Sequence, residues 1–199
     1  MEVRPILFNT EMVKAILGDR KTQTRRLVKE IPLYAPYFDV PDGIPMACDE
    51  YGDWYPAERF SRIQPGDVLW VRETWCRIGN PKAGRSMHYC YRADMDDPSK
   101  DDMGFIAYWR PSIHMPREAA RLFLRVKDVR IQRLQDMSAQ DSIDEGVKLH
   151  LKGIIDGENP LMPFAEVWNR TIGDKKDFSK YCWSANPWVW VIEFERCSL

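Results

Sequence analysis

Hydrophobic and polar positions change their spacing several times along this chain, and the changes predict a mixture of short helices and strands. A short apolar strand is expected over Arg4–Phe8. Apolar residues then recur at helical spacing over Thr10–Leu17, which predicts a helix that ends at Gly18. Asn9 or Thr10 can cap the start of this helix.

Two further helices are predicted near the C-terminal end of the chain. Ser138 is expected to cap the first of them, because Asp141 follows in the capping-box position. The inward face of this helix is expected to hold Ala139, Ile143 and Val147. The second helix is amphipathic and is predicted over Leu161–Ile172. The remaining apolar runs predict strands over Val68–Trp75, Met87–Arg92, Phe105–Trp109, Leu122–Leu134 and Trp188–Phe194.

The predicted strand over Val68–Trp75 is unusual because both of its faces mix apolar and ionic residues. Arg72 lies on one face and Glu73 on the other. We therefore expect Arg72 and Glu73 to be paired with a partner or to line a cleft.

Two segments without a sustained period are interpreted as insertions into a single domain of residues 1–199. The first covers about 31–62 and is rich in aromatic residues, which argues for an ordered loop. The second covers about 94–104 and carries five aspartates. In the loop Arg110–Arg117, prolines at positions 111 and 116 are expected to exclude regular structure.

The formal net charge of −1 gives no overall attraction to nucleic acid, but the charges are unevenly distributed. Six basic residues stand against Asp19 alone between Lys14 and Lys29. Seven stand against Glu118 and Asp128 between Arg110 and Arg133. These two stretches would form a positive face if they meet in space.

The chain has five cysteines and three histidines without metal-ligand spacing, so neither a zinc site nor a disulfide scaffold is expected. Reduced thiols in a cytoplasmic protein are the simplest interpretation. No apolar stretch is long enough to span a bilayer, and no membrane partner is expected. No cofactor is indicated, and the sequence leaves the oligomeric state open.

The segment after the first helix carries the most informative motif. It reads Gly18-x-x-Lys21-Thr22-x-Thr24-x-Arg26, a glycine stop followed by basic and hydroxyl residues. This motif resembles the signature of the ASCH domain, a branch of the PUA-like small β-barrels. Gly66-Asp67-Val68-Leu69 and Val191-Ile-Glu-Phe-Glu195 are similar to strands of that family, and the helix ending in Glu145-Gly146 is similar to its acidic helix. The chain also resembles the longer ASCH-like proteins of phages and prophages.

The resemblance implies an α+β fold, a PUA-like small mixed β-barrel with short flanking helices and loop insertions. It also implies that the ligand is RNA or a modified nucleoside. In the N4-acetylcytidine amidohydrolase branch of the family, a lysine, a threonine and a glutamate form the proposed catalytic set. The matching residues here are Lys21, Thr24 and Glu145.

The residues themselves leave alternatives open for this set. Lys21 and Glu145 would also suit a partly buried ion pair that holds the helix to the sheet. Residues three apart in an extended strand point to opposite faces, so Lys21 and Thr24 converge only if the chain turns between them.

Further candidates for ligand binding surround the motif and lie in the central loops. Most tryptophans of a small barrel are core, but Trp75 and Trp109 lie beside loops and are candidates for stacking on a base. The proline-bounded loop offers Ser112, His114 and Arg117, either as a recognition edge or as structural residues. The full set of predicted binding residues is Arg20, Thr22, Arg25, Arg26, Arg72, Glu73, Trp75, Trp109, Ser112, His114 and Arg117.

Three functions follow as hypotheses. The first is an RNA- or nucleoside-binding protein that holds phosphates in a basic cleft. The second is an amidohydrolase with Thr24 as nucleophile, Lys21 as its activator and Glu145 as proton shuttle. The third is a phage assembly or interaction protein without catalysis.

Overall fold

The computed structural model describes residues 2–28, 38–39, 45–49, 51–80, 85–95, 108–147, 161–172 and 175–199. These residues form a mixed α+β structure that is mostly sheet with a few short helices. The strands are β1 (Val3–Leu7), β2 (Gln23–Leu27), β3 (Phe38–Asp39), β4 (Met46–Cys48), β5 (Trp54–Pro56), β6 (Val68–Arg72), β7 (Trp75–Asn80), β8 (Arg85–Tyr91), β9 (Phe123–Arg133) and β10 (Trp188–Cys197). The helices are α1 (Thr10–Leu17), α2 (Ala139–Asp144), α3 (Met162–Thr171) and α4 (Lys175–Tyr181).

The chain divides into two compact units, each assembled from separate stretches of sequence. The first contains Met1–Asp19, Asp67–Arg125 and Arg196–Leu199. The second contains Arg20–Gly66 and Val126–Glu195. The single domain with two insertions stays a prediction.

In the first unit, β1 pairs in parallel with β6, and β6 pairs antiparallel with the beginning of β9. Residues Val68–Val71 are buried on both faces of β6, which explains why the sequence shows no polar face there. Helix α1 follows β1, and the Asn9 side chain accepts a hydrogen bond of 2.9 Å from the Met12 backbone N–H. The predicted helix and its cap are therefore present.

In the second unit, β10 lies between β9 and β2 and pairs antiparallel with β2. Strands β3, β4 and β5 form a small antiparallel sheet of their own. The apolar side of α3 packs against β10 and the residues that follow β9, in one hydrophobic cluster. Its buried members are Leu134, Met137, Phe164, Trp168, Val189 and Val191. This packing positions β2 and β10 beneath the helices that follow β9.

Several predicted elements differ from the structure. The strand expected over Val68–Trp75 is interrupted after Arg72, since the Glu73 backbone N–H turns to the Met115 sulfur at 3.2 Å. Of the strand expected over Phe105–Trp109, positions 105–107 lie outside the described residues, and Trp109 is not in a strand. Prolines 111 and 116 each precede a short 3-10 turn, so the loop between them is partly regular.

The inward face predicted for α2 is wrong for Ala139 and Ile143, whereas Val147, which follows the helix, is half-buried and packs against the hydrophobic cluster. Ala139 and Ile143 are exposed, whereas Ser142 is fully buried. The capping box of Ser138 and Asp141 is present as predicted. The helix turns a polar side inward because its acidic residues face cations on β2, and those contacts form the candidate site.

The predicted insertions are described only in part. Positions 31–37, 40–44 and 50 of the first, and 96–104 of the second, lie outside the described residues. The described part of the first contains β3, β4 and β5 rather than a loop. The described strands form open sheets, and no closed barrel is found among them. Among the described helices, none is long and apolar enough to cross a membrane.

Candidate functional site

The motif segment of the second unit is held between the end of α2 and strand β10. Lys21 and Glu145 form an isolated antiparallel bridge. The Thr22 backbone N–H donates to the Asp144 carbonyl at 2.8 Å, and the Thr22 carbonyl accepts from the Phe194 N–H at 2.8 Å. These backbone contacts fix the position of Lys21 before β2 begins.

Lys21 and Glu145 form a buried ion pair at the centre of the site. The Lys21 Nζ donates to Glu145 Oε2 at 2.7 Å and to the Glu145 carbonyl at 2.9 Å. The Arg25 Nη1 donates to the other carboxylate oxygen at 3.1 Å. The side chains of Lys21 and Arg25 are 0% exposed, and that of Glu145 is 4% exposed. One buried carboxylate therefore bridges two buried cations.

Asp141 extends this network by one turn of α2. Its Oδ1 accepts a hydrogen bond of 2.8 Å from the Gln23 amide and lies 3.3 Å from Arg25 Nη2. Burial alone would raise the pKa of Asp141, but hydrogen bonds from Gln23 and Ser138 and the charge of Arg25 lower the pKa to about 2. Asp141 is thus a carboxylate at any physiological pH.

Strand alternation explains why these side chains meet. Gln23 and Arg25 stand on one face of β2, and Lys21 continues the same two-residue period. Asp141 and Glu145 are four residues apart and so project from the same side of α2. A strand face with three donors thus meets a helix face with two carboxylates.

The electrostatic environment of Lys21 is dominated by its burial. Desolvation lowers the pKa of Lys21 below its ordinary value, although the charge and the hydrogen bond of Glu145 oppose this effect. The contacting charges are balanced, with Lys21 and Arg25 against Glu145 and Asp141. Arg130 also lies 3.5 Å from Asp141 but has Glu193 as a nearer acidic partner.

Some hydrogen-bonding atoms of the site are buried without a partner among the described residues. They are the Nε of Arg25 and the hydroxyl of Ser142. The Nη2 of Arg25 also makes no hydrogen bond, but it has the ion-pair contact with Asp141 at 3.3 Å and is not counted here. Ser142 lies three residues before Glu145 and is fully buried. A buried polar atom without a hydrogen bond costs about 1–3 kcal/mol, so these atoms call for a partner that the described part of the chain does not supply.

Thr24 is separated from the other two members of the predicted catalytic set. It stands between Gln23 and Arg25 in β2, so its side chain points to the opposite face of the strand. Thr24 is buried there, and its backbone pairs with Ile192 of β10. The structure therefore brings Lys21 and Glu145 together and leaves Thr24 on the other side of β2.

The remaining predicted residues of the second unit border the pair. Arg20 is exposed and its Nη1 donates to the Gly146 carbonyl at 3.2 Å. Thr22 is also exposed, and Arg26 is half-buried. Desolvation lowers the pKa of Arg26. Arg20 is consequently the cation of this set that is open to solvent.

The other predicted binding residues belong to the first unit and form separate contacts. Glu73 pairs with Arg121 rather than with Arg72, through two hydrogen bonds of 2.9 and 3.0 Å. Arg72 donates instead to the carbonyl of Ile113 and lies 5.5 Å from the Trp70 ring. The expectation of a partner for both residues is therefore met, but by residues that the sequence did not indicate.

Trp75 is unsuited to the stacking role predicted for it. Its side chain is buried, with Tyr89 edge-on at 5.6 Å and the Arg110 guanidinium 5.3 Å from its ring. Trp109 is half-buried. In the proline-bounded loop, Ser112 is half-buried, whereas His114 and Arg117 are exposed.

Several residues of the two networks were missed by the sequence interpretation. The sequence predicts Asp141 as part of a capping box, and its four-residue spacing from Glu145 is the signal that places it in the network. The alternation of Lys21, Gln23 and Arg25 was also visible as a polar strand face. No sequence signal pointed to Arg121 as the partner of Glu73, because 48 residues separate them.

Among the described residues, no cluster of histidine, cysteine, aspartate and glutamate is suited to hold a metal ion. Comparison of the chain with protein-family models, with curated proteins and with solved structures finds no match. The resemblance to the ASCH domain consequently rests on the sequence motifs alone.

Proposed function

We propose that this chain is a PUA-like protein of the ASCH type that binds a modified nucleoside, free or within RNA, at the Lys21–Glu145 pair. The observation that carries the proposal is the set of unpartnered buried polar atoms beside this pair, on Arg25 and Ser142. The Nε of Arg25 is an N–H donor, and the hydroxyl of Ser142 can also donate. The complementary ligand presents acceptor atoms, as the carbonyl oxygens and ring nitrogens of a nucleobase do.

Charge balance decides which part of a nucleotide belongs at the pair. Lys21 and Arg25 already have Glu145 and Asp141 as acidic partners, so these two cations suit a neutral base better than a phosphate. This differs from the hypothesis drawn from the sequence, in which the basic residues of a cleft hold phosphates. The exposed Arg20 is the candidate for contact with an RNA backbone.

The substitution Lys21→Gln tests the binding proposal. Calorimetric titration with a panel of modified and unmodified pyrimidine nucleosides should first identify a ligand of the unmodified protein. The affinity for this ligand should fall at least about 10-fold in the variant, because loss of the buried ammonium disturbs Glu145 and Arg25 together. Lys127→Gln is the matched control, because Lys127 is exposed and lies 3.8 Å from Glu195. The control variant should bind the same ligand with the affinity of the unmodified protein. Equal affinity of the folded Lys21 variant would contradict the proposal.

A second function, hydrolysis of an acylamide on the nucleoside, is favoured by the contact between Lys21 and Glu145. A desolvated lysine 2.7 Å from a carboxylate is a proton-transfer pair. In this reaction Glu145 takes a proton from water as the water oxygen bonds to the acyl carbon. The C–N bond then breaks, and Lys21 delivers a proton to the leaving amine. Glu145 finally passes its proton to Lys21 across the 2.7 Å contact, which restores the starting ion pair. Thr24 has no part in these steps because it faces away.

Acetate release from N4-acetylcytidine tests the hydrolase. Lys21→Gln should lower the rate about 100-fold or more, the usual contribution of a general acid or base. Thr24→Val keeps the shape of the buried side chain and should leave the rate unchanged. A Thr24→Val variant that folds but is inactive would restore threonine as nucleophile and contradict the water mechanism. Binding of the nucleoside without release of acetate would contradict hydrolysis and leave the binding proposal standing.

A further inference from the structure

Cys76 and Cys90 lie directly opposite each other in the β7–β8 hairpin of the first unit. Both are thiols and both are buried. Residues directly opposite in an antiparallel pair project from the same face of the sheet. The two sulfur atoms therefore leave the hairpin on one side, although 14 positions separate the residues in the sequence.

The hydrogen bonds around the hairpin identify the kind of pair that the two cysteines form. The Trp75 N–H and carbonyl both bond to Arg110, at 3.3 and 2.7 Å, so Trp75 and Tyr91 are a non-hydrogen-bonded pair. The Arg92 N–H bonds to the Thr74 carbonyl at 3.0 Å, as alternation requires. The next pair, Cys76 and Cys90, is consequently a hydrogen-bonded one.

This position permits a disulfide, but with strain. The Cα atoms of a hydrogen-bonded pair are about 5.5 Å apart, within the range of about 4.4–6.8 Å that disulfides span. The Cβ atoms of such a pair are about 5 Å apart, slightly more than a disulfide prefers. The strands must twist or approach to close the bond. A disulfide held under strain is more easily reduced than a relaxed one.

We propose that Cys76 and Cys90 are a redox pair that forms a reversible cross-strand disulfide. A hydroperoxide oxidises one thiolate to a sulfenic acid, and its O–O bond breaks to release water or an alcohol. The second thiolate attacks the sulfenic sulfur, the S–S bond forms, and the sulfenic oxygen leaves as water. Two electrons pass from the two sulfur atoms to the peroxide.

Access of the oxidant to these buried thiols requires local opening of the hairpin. We expect such opening because β7 and β8 pair with each other and with no other named strand. In contrast, Cys48 lies opposite Trp54, and Cys182 follows α4 outside any strand. Cys197 ends β10, whose neighbouring strands β2 and β9 contain no cysteine. Oxidation is thus expected to link one pair among the five cysteines.

Peptide mapping after hydrogen peroxide treatment tests the pair. Trypsin releases Cys76 and Cys90 on separate peptides, residues 73–77 and 86–92. The oxidised native protein should yield these two peptides joined, with the loss of two hydrogen atoms in mass. Dithiothreitol should separate them. Oxidation that links another pair, or that only adds oxygen to single cysteines, would overturn the proposal.

Cys76→Ala and Cys48→Ala provide matched variants, since each removes one buried thiol. The first should abolish the linked peptide pair, whereas the second should leave its yield unchanged. The map of the unmodified protein decides the question by itself if Cys76→Ala does not fold. A linked pair that appears only in denaturant would show that the native hairpin does not form the bond.

Discussion

Replacement of Glu145 by alanine should lower the free energy of unfolding by about 3–5 kcal/mol, the range found when one partner of a buried ion pair is removed. Glu145 holds Lys21 at 2.7 Å and Arg25 at 3.1 Å, and both cations are fully buried. Without the carboxylate, two desolvated positive charges lose the acidic group that they share, and Arg25 keeps its contact with Asp141. Urea unfolding followed by tryptophan fluorescence measures the change.

Glu195→Ala is the matched control for this prediction. Glu195 is 55% exposed and lies 3.8 Å from Lys127, so the pair is solvated and the substitution should cost about 1 kcal/mol or less. A loss for Glu145→Ala as small as that of the control would show that the Lys21–Glu145 pair is not buried in solution. It would then remove the physical basis of the lowered pKa of Lys21.

The contact between Lys21 and Glu145 could be anticipated from the sequence, but the residues that surround this ion pair could not. The motif and the acidic helix pointed to these two residues, and a partly buried ion pair was one of the expected arrangements. The inclusion of Arg25, Gln23 and Asp141 depends on how β2 and α2 face each other. Such pairing spans more than 100 positions of the chain, and local patterns carry no information on it.

Sequence rules that depend only on neighbouring residues predicted the helix caps correctly. Asn9 and Ser138 act as caps because a side-chain oxygen next to unpaired backbone N–H groups is favourable in almost any context. The same rules failed for α2, where Ile143 is exposed and Ser142 is buried. There the ion pairs of Asp141 and Glu145 fix the orientation of the helix, and apolar periodicity is overruled by these tertiary contacts.

For Glu73, too, the sequence indicates that a partner is needed but does not identify the partner. Its mixed strand face correctly signalled an ionic group that needs a partner. Its neighbour in sequence, Arg72, is not that partner, because successive side chains of a strand point in opposite directions. The actual partner, Arg121, follows the 3-10 turn of residues Arg117–Ala119 and approaches Glu73 from another part of the first unit. This second buried pair leads to a prediction with a distinct pH signature.

Arg121→Met should destabilise the protein by about 3–5 kcal/mol at about pH 8, and the loss should shrink as the pH falls toward about 5. Glu73 is almost fully buried, and burial raises its pKa even though Arg121 donates two hydrogen bonds to it. Without the guanidinium the pKa of Glu73 rises further. Methionine keeps an apolar side chain next to Tyr91, whose ring lies 3.9 Å from the guanidinium carbon.

The sign of the pH dependence follows from proton binding. Between the ordinary pKa of a glutamate and its raised value in the fold, the native variant binds a proton that the unfolded chain does not, so its stability increases as pH decreases. Chemical denaturation of the variant and of the unmodified protein at several pH values measures the difference between them. The double variant Glu73→Gln with Arg121→Met has no carboxylate at position 73 and should lose the part of the pH dependence that Glu73 causes. An equal loss for Arg121→Met at both ends of the pH range would mean that the cost arises from packing or from the contact with Asp94, and not from an unpaired charge on Glu73.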